Sequence, residues 1–203
     1  MNFNSQAQNP NYTMKSIFFT LITFFYFTIH AQYNFKAGYG FENLHIGMSK
    51  SEIIQTLGEP DEEVTMENER AMWEDGGYNT AKEMPFVLNF DYVMIFPDNN
   101  YYVWKVFIKD EKAFYFTVSA YMTSELPQEN ISLDGKLNLG DDDSQMMKIL
   151  GQPTLRKVRE SSTIYYFLEK GISVNIDEGQ IANFWIYAPM SSKQAKKIKK
   201  KIG

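Results

Sequence analysis

Apolar and polar positions along this chain fall into a phrase that is stated twice. Gly47 to Pro60 reads GMSKSEIIQTLGEP, and Gly140 to Pro153 reads GDDDSQMMKILGQP. Ile53, Ile54 and Leu57 in the first, and Met146, Met147 and Leu150 in the second, recur at the spacing that predicts one apolar face on a short helix. Ser49 with Glu52, and Asp142 with Gln145, stand at capping-box spacing: the first side chain accepts from an early helical N–H while the second reaches back. Gly58 and Gly151 offer a left-handed C-terminal residue, and Pro60 and Pro153 forbid continuation. Leu44, Ile46 and Gly47 match Leu137, Leu139 and Gly140. Every pair is 93 residues apart, so the chain reads as an internal duplication.

Short β-rich runs follow each helix. In the second copy they are RKVRESS, TIYYFLEK, ISVNIDEG and IANFWIYA, with DEGQ as a hairpin turn. In the first copy DEEVTM, RAMWED, PFVLNFDYVMIF and YYVWKVFIK take the same order, with PDNN as the turn. A fifth run, AFYFTVSAYM, precedes the linker TSELPQENISLDGK. Pro60 lies 38 residues before Asp98 and Pro153 lies 24 before Asp177, so the first copy carries about fourteen extra residues, assigned to DGGYNTAKEM. The expected fold is α+β: two tandem repeats, each a short capped helix followed by an antiparallel meander, with the helices on one side of the sheet.

A G-M-[ST]-x-x-[EQ] helix ending L-G-x-P and leading into a meander resembles the SmpA/OmlA superfamily, which includes a small lipoprotein of the outer-membrane barrel-assembly machinery. A tandem pair resembles the β-lactamase inhibitory proteins, where two repeats lay their helices on one side of a shared, curved sheet. The likeness covers most of residues 42–108 and 135–188. It implies a fold and a protein-binding role, but transfers no contact residue, because the matching positions are caps, stripes and turns. The chain also lacks the lipoproteins' anchoring cysteine and the inhibitor's disulfides, having no cysteine at all.

The N-terminal third of the first repeat's approach changes the picture of where the protein works. Lys15 precedes the thirteen-residue apolar run IFFTLITFFYFTI and then HAQ, the layout of an export signal cleaved near Ala31, with Met14 as the expected start. The run is short of the about 20 residues that span a bilayer. The expected organisation is therefore 1–31 extension and signal, 32–125 repeat 1 with its insertion, 126–190 repeat 2, and 191–203 a basic tail, in an exported protein of the periplasm or exterior. Net charge is −5, yet the tail SSKQAKKIKKKIG holds six lysines; without them 14 basic residues face 25 acidic ones, a net of −11. An acidic body argues against nucleic-acid binding. The tail is expected to be an unstructured solubilising terminus, with weak contact to an anionic membrane as the rival account.

Catalytic chemistry finds little support. His45 is the one histidine after the signal, DDDS at Asp141–Ser144 lacks the ligand alternation of a calcium loop, and the carboxylates of Asp61–Glu63 sit on a turn. No metal, cofactor or reaction is expected. Aligning the turn aspartates Asp98 and Asp177, 79 apart, pairs Val93 and Ile95 with Ile172 and Val174 as a core row. That leaves Tyr92, Met94 and Phe96 on an outer face where the second copy has polar Ser173 and Asn175. An apolar outer face must be covered by the fifth strand, by the insertion or by a partner. The candidate partner-binding residues are Tyr78, in a Gly-Gly loop, with Tyr92, Met94, Phe96, Tyr101, Trp104 and Trp185. The expected function is a non-catalytic protein–protein interaction module of the cell envelope; the alternative is a small-ligand-binding protein with an aromatic-lined pocket in repeat 1.

Overall fold

The two caps form where their residues place them. In the computed structural model, which describes residues 33–41, 43–77, 89–98, 102–120 and 131–202, the helices are α1 (Lys50–Leu57), α2 (Met66–Asp75), α3 (Asp143–Leu150) and α4 (Ser192–Ile202). The expected export signal and its expected cleavage point lie outside these residues, and Gln32–Gly203 form one compact unit. At α1 the Glu52 N–H donates to Ser49 Oγ at 3.4 Å and the Ser49 N–H donates to Glu52 Oε2 at 2.9 Å, a complete box. At α3 Asp142 accepts from the Gln145 N–H at 2.9 Å and from the Ser144 hydroxyl at 2.6 Å, so the expected cap forms with a hydroxyl donor beside it, while the complete reciprocal box is that of α1. These hydroxyls and N–H groups hold both Glu52 and Asp142 below their ordinary values.

The strands form two sheets. The larger has eight, in the order β10 (Leu155–Val158), β11 (Ser162–Phe167), β12 (Ile172–Asp177), β13 (Gln180–Tyr187), β7 (Lys112–Ala120), β6 (Tyr102–Lys109), β5 (Tyr92–Asp98) and β4 (Glu62–Thr65), all antiparallel. The two meanders therefore fuse edge to edge, with β13 against β7 from Asn183↔Ser119 to Tyr187↔Tyr115. The smaller sheet orders β3 (Leu44–His45), β2 (Gly40–Phe41), β1 (Tyr33–Lys36), β8 (Ile131–Leu133) and β9 (Leu137–Asn138), with β1 parallel to β8 between two hairpins.

The duplication is visible in backbone bonds. The Gly47 N–H donates to Ala113 O at 2.7 Å and the Ala113 N–H to Met48 O at 2.7 Å. Gly140 and Ile181 repeat this at 2.8 Å, with the Ile181 N–H donating to Asp141 O at 2.9 Å. The β-bulge recurs as well, at Phe107/Ile108 and Asn175/Ile176. These matches correct the hairpin alignment. Asp177–Gln180 is equivalent to Lys109–Lys112, an offset of 68, because the first copy turns on Asp110 and Glu111, both at positive φ. Ile95 matches Tyr166, an offset of 71, since the Asp61 N–H donates to the one and the Thr154 N–H to the other. The first copy thus gains 22 residues between its first two strands and three in the next turn. RAMWED is not a strand but part of α2, whose N-cap Thr65 accepts from the Asn68 N–H at 3.4 Å.

Both faces of the large sheet are covered. On one side Ile53, Met146 and Leu150 of α1 and α3 pack with Met94, Phe96, Val106, Phe116, Val174 and Phe184, and the small sheet adds Phe35, Leu44 and Leu133. On the other, Val93, Phe107, Tyr115, Tyr166, Trp185 and Tyr187 pack with Trp73 of α2 and Ala195 and Ile198 of α4. Burying each large apolar side chain contributes roughly 1.5–3 kcal/mol. The basic tail is therefore a docked helix and not a loose terminus. Its capping box is Ser191 and Gln194: the Ser191 N–H donates to Gln194 Oε1 at 2.9 Å, and the Gln194 N–H to Ser191 Oγ at 3.4 Å. Its described lysines face solvent.

At one equivalent position the copies solve this second face differently. Lys105 donates to Glu69 Oε1 of α2 at 2.6 Å, with Glu69 wholly buried. Its counterpart Ser173 shares a 2.8 Å hydrogen bond with the Tyr187 hydroxyl, which itself donates to Ile172 O at 2.9 Å. Ser173 and Asn175, expected in solvent, are buried.

Candidate functional site

Of the seven candidate residues, Tyr78 and Tyr101 lie outside the described residues. Trp104 is placed by its backbone in β6, opposite Phe96 and Val118. Met94 is 0% exposed, and Phe96 and Trp185 are 6% exposed, so packing within the chain accounts for their apolar character. The assumed alternation was inverted by the wrong hairpin offset: Met94 and Phe96 face α1, while Val93 and Ile95 face α2. Tyr92 is half-buried, with Lys50 Nζ 4.9 Å from its ring. Glu63 accepts from Lys50 at 2.6 Å and holds it above its ordinary value. The aromatic residues expected to line a pocket in repeat 1 fill the space themselves: Phe107 lies 4.8 Å from Tyr115, 5.0 Å from Phe90 and 5.7 Å from Trp73 between ring centroids.

What sequence reading missed is Tyr39. It is 46% exposed, at the tip of the β1–β2 turn. Its N–H donates to Lys36 O at 3.1 Å, and its carbonyl accepts from the Ile46 N–H at 2.8 Å. The ring lies 5.5 Å from the ring of His45, and Lys36 Nζ stands 6.0 Å from it. The backbone beneath is fixed by close approach. The Gly38 N–H donates to Gly171 O at 3.2 Å, an oxygen that also accepts from the Tyr187 N–H at 3.0 Å. A Cβ on Gly38 would lie 2.5 Å from Pro189, and one on Gly171 would lie 2.2 Å from Tyr187 O, with φ at +71° and +70°. Only glycine fits either place. The turn is thus clamped onto the end of β13, and it presents an aromatic ring at small entropic cost. The signal was in the sequence: AGYGF flanks a tyrosine with glycines, the same reason that singled out Tyr78.

Two open clefts flank the helix starts. One, about 290 Å³, is lined by Ser49, Lys50, Ser51, Ile54 and Glu111; the other, about 320 Å³, by Asp142, Ser144, Gln145, Lys148 and Ile149. They share the equivalent positions Ser49/Asp142 and Ser51/Ser144 and differ in the rest of their lining. Among the described residues no group of three or more His, Cys, Asp or Glu side chains is placed to hold a metal ion.

The chain matches no protein-family model and no curated protein significantly, so its likeness to SmpA/OmlA has no family-model support. Among solved structures it is similar to a cysteine-rich secretory protein from Staphylococcus aureus (TM-score 0.40, 8% identity, 76% of this chain and 48% of that one). It is also similar to an extracellular SCP-domain protein from Bacillus anthracis (TM-score 0.39, 8% identity, 77% and 52%). A candidate β-lactamase inhibitor protein from Streptococcus mutans matches more weakly (TM-score 0.24, 12% identity, 68% and 81%). This chain spans about half the length of the first two. None reaches the level of a shared fold, and the α+β assignment rests on the strand order and register.

Proposed function

We propose that this chain is an exported, non-catalytic interaction module of the cell envelope, and that the Tyr39 turn is its contact point with a protein partner. The observation that carries this reading is a half-exposed tyrosine on a backbone held rigid from beneath. An amphipathic ring that loses little freedom on docking is the residue type that anchors interfaces. Lys36 and His45 supply a polar rim around it. The apolar run at residues 17–29 supports export. The reading assigns the chain no reaction.

The test is site-specific photo-crosslinking in the native envelope, with a benzophenone side chain at position 39 and, as control, at exposed Gln55 on α1. A discrete adduct at 39, absent at 55, is expected. It should also be lost when an unlabelled excess of the wild-type chain, but not of Tyr39→Ala, competes. Equal adduct patterns at both positions would overturn the assignment.

A further inference from the structure

The large sheet ends in two edge strands of opposite charge. At one end β4 carries Glu62 and Glu63 after Asp61; at the other β10 carries Arg156 and Lys157 before Arg159. Among the described residues no strand pairs with either outer edge. We propose that the β4 edge of one copy pairs with the β10 edge of a second copy, head to tail, so that the sheet continues from chain to chain.

Direction, hydrogen bonding and side-chain faces agree on one register. All neighbours in the sheet are antiparallel, so across eight strands β4 runs opposite to β10, and a second copy in the same orientation meets β4 antiparallel. The Asp61 N–H is spent inward on Ile95 O and the Thr154 N–H on Tyr166 O. Both bonds fall one residue off the ladder, whereas the Arg159 N–H donates to Ser162 O in register. By alternation Leu155 and Lys157 point their N–H and C=O groups inward and Arg156 and Val158 outward, and with Ile95 O facing Glu62, Glu63 and Thr65 point outward from β4. Setting Glu63 opposite Arg156 as the hydrogen-bonded pair puts Glu62 opposite Lys157 on one side of it and Val64 opposite Leu155 on the other. Each match also shares a face. Glu62, Val64, Leu155 and Lys157 stand on the α2 side, opposite Ile95, Val93, Tyr166 and Ile164 of their own chain. Glu63 and Arg156 stand on the α1 side, opposite Met94 and Tyr165. Sliding by two residues leaves a single charge pair, Glu62 with Arg159 one way or Asp61 with Arg156 the other, and parts Val64 from Leu155.

The sign pattern selects the partner. Charged edge strands commonly guard against aggregation, and here β4 against β4, or β10 against β10, sets like charges opposite one another. Only the mixed pairing is left attractive, and cross-strand ion pairs and apolar pairs both favour it. Val158, 64% exposed at the end of β10, then lies opposite Asp61 at the margin. The pairing is heterologous, so it propagates to a closed ring or an open row.

Sedimentation velocity of the full-length chain over about 10 µM to 1 mM, the range for a small interface, reads the association. Association that weakens as salt rises from about 0.05 to 0.5 M is expected. Glu62→Lys and Lys157→Glu are the test pair, since each reverses the charge at one of two directly opposed positions; Glu63 and Arg156 are left in place because they also contact Lys50 and the Tyr165 ring. Each variant alone should associate at least about tenfold more weakly, and an equimolar mixture should restore the wild-type constant, because the reversed edges then face each other. Restoration also shows that both variants are folded. Tyr39→Ala should associate as wild type does, which separates this surface from the Tyr39 contact. A wild type that stays monomeric throughout, an association indifferent to the single replacements, or a mixture that fails to recover while both variants keep the wild-type circular dichroism and melting temperature, overturns the proposal.

Discussion

Tyr187→Phe removes one oxygen from a buried hydrogen-bond node on the α2 and α4 side of the large sheet. That hydroxyl is buried, donates to Ile172 O at 2.9 Å and shares a 2.8 Å bond with Ser173, itself wholly buried. Losing it strips buried polar atoms of a partner, which costs about 1–3 kcal/mol. With a urea m-value of about 2 kcal/mol per M, the midpoint falls by roughly 0.5–1.5 M at neutral pH. The second signature is alkaline. Burial, above all, holds the Tyr187 hydroxyl far above the ordinary tyrosine value. The folded chain therefore keeps a proton that the unfolded chain releases above about pH 10. The stability it contributes is whole below that pH and is lost as the pH climbs, at about 1.4 kcal/mol per unit. Urea titrations at pH 7, 10 and 11 measure both effects, and subtracting the variant from wild type cancels the other tyrosines. The reasoning fails if the midpoint is unchanged at pH 7 and the alkaline slopes coincide.

Gly171→Ala places a methyl 2.2 Å from Tyr187 O and 2.6 Å from Gly38 Cα at a left-handed φ, so a loss of about 3–5 kcal/mol is expected in thermal melts. Gly151→Ala, at φ +74° and ψ −153° but with open space around it, carries backbone strain without a clash and should cost less, about 1–3 kcal/mol, and equal losses would dismiss the clamp. Glu69→Gln leaves Lys105, 19% exposed, beside a neutral partner under α2. A loss of about 2–4 kcal/mol should follow, largely recovered by Glu69→Leu with Lys105→Met; a double variant no better than the single one would contradict the ion-pair account.

Local devices were legible in the sequence and long-range coverage was not. The helix starts were readable because Ser49 and Asp142 act on N–H groups three residues away, and their 93-residue offset survives unchanged in Lys50–Leu57 and Asp143–Leu150. The hairpin offset failed because the first copy turns on Asp110 and Glu111, two non-glycine residues at positive φ, whereas Asp98 looked like the better turn. That error inverted the faces of β5 and turned Met94 and Phe96 into surface candidates. RAMWED hid a helix because its stabiliser, the Glu69–Lys105 pair, joins residues 36 apart. The lysine-rich end hid another, since a charge run masks the single face of Ala195 and Ile198 that docks. Tyr39 was within reach, because glycines on both sides of an aromatic residue can be read without coordinates.

The small sheet has a consequence for how the chain comes together. β1 is flanked on one side by β2, its immediate successor, and on the other by β8, with Tyr33 opposite Ile131. The Asn34 side chain also caps the far loop, accepting from the Gly135 N–H at 2.8 Å. The earliest-synthesised strand of the unit therefore waits for about a hundred further residues before its second edge is filled, and loop-closure entropy makes that step late and slow. Until β8 is made, the second edge of β1 stays open to any competing strand.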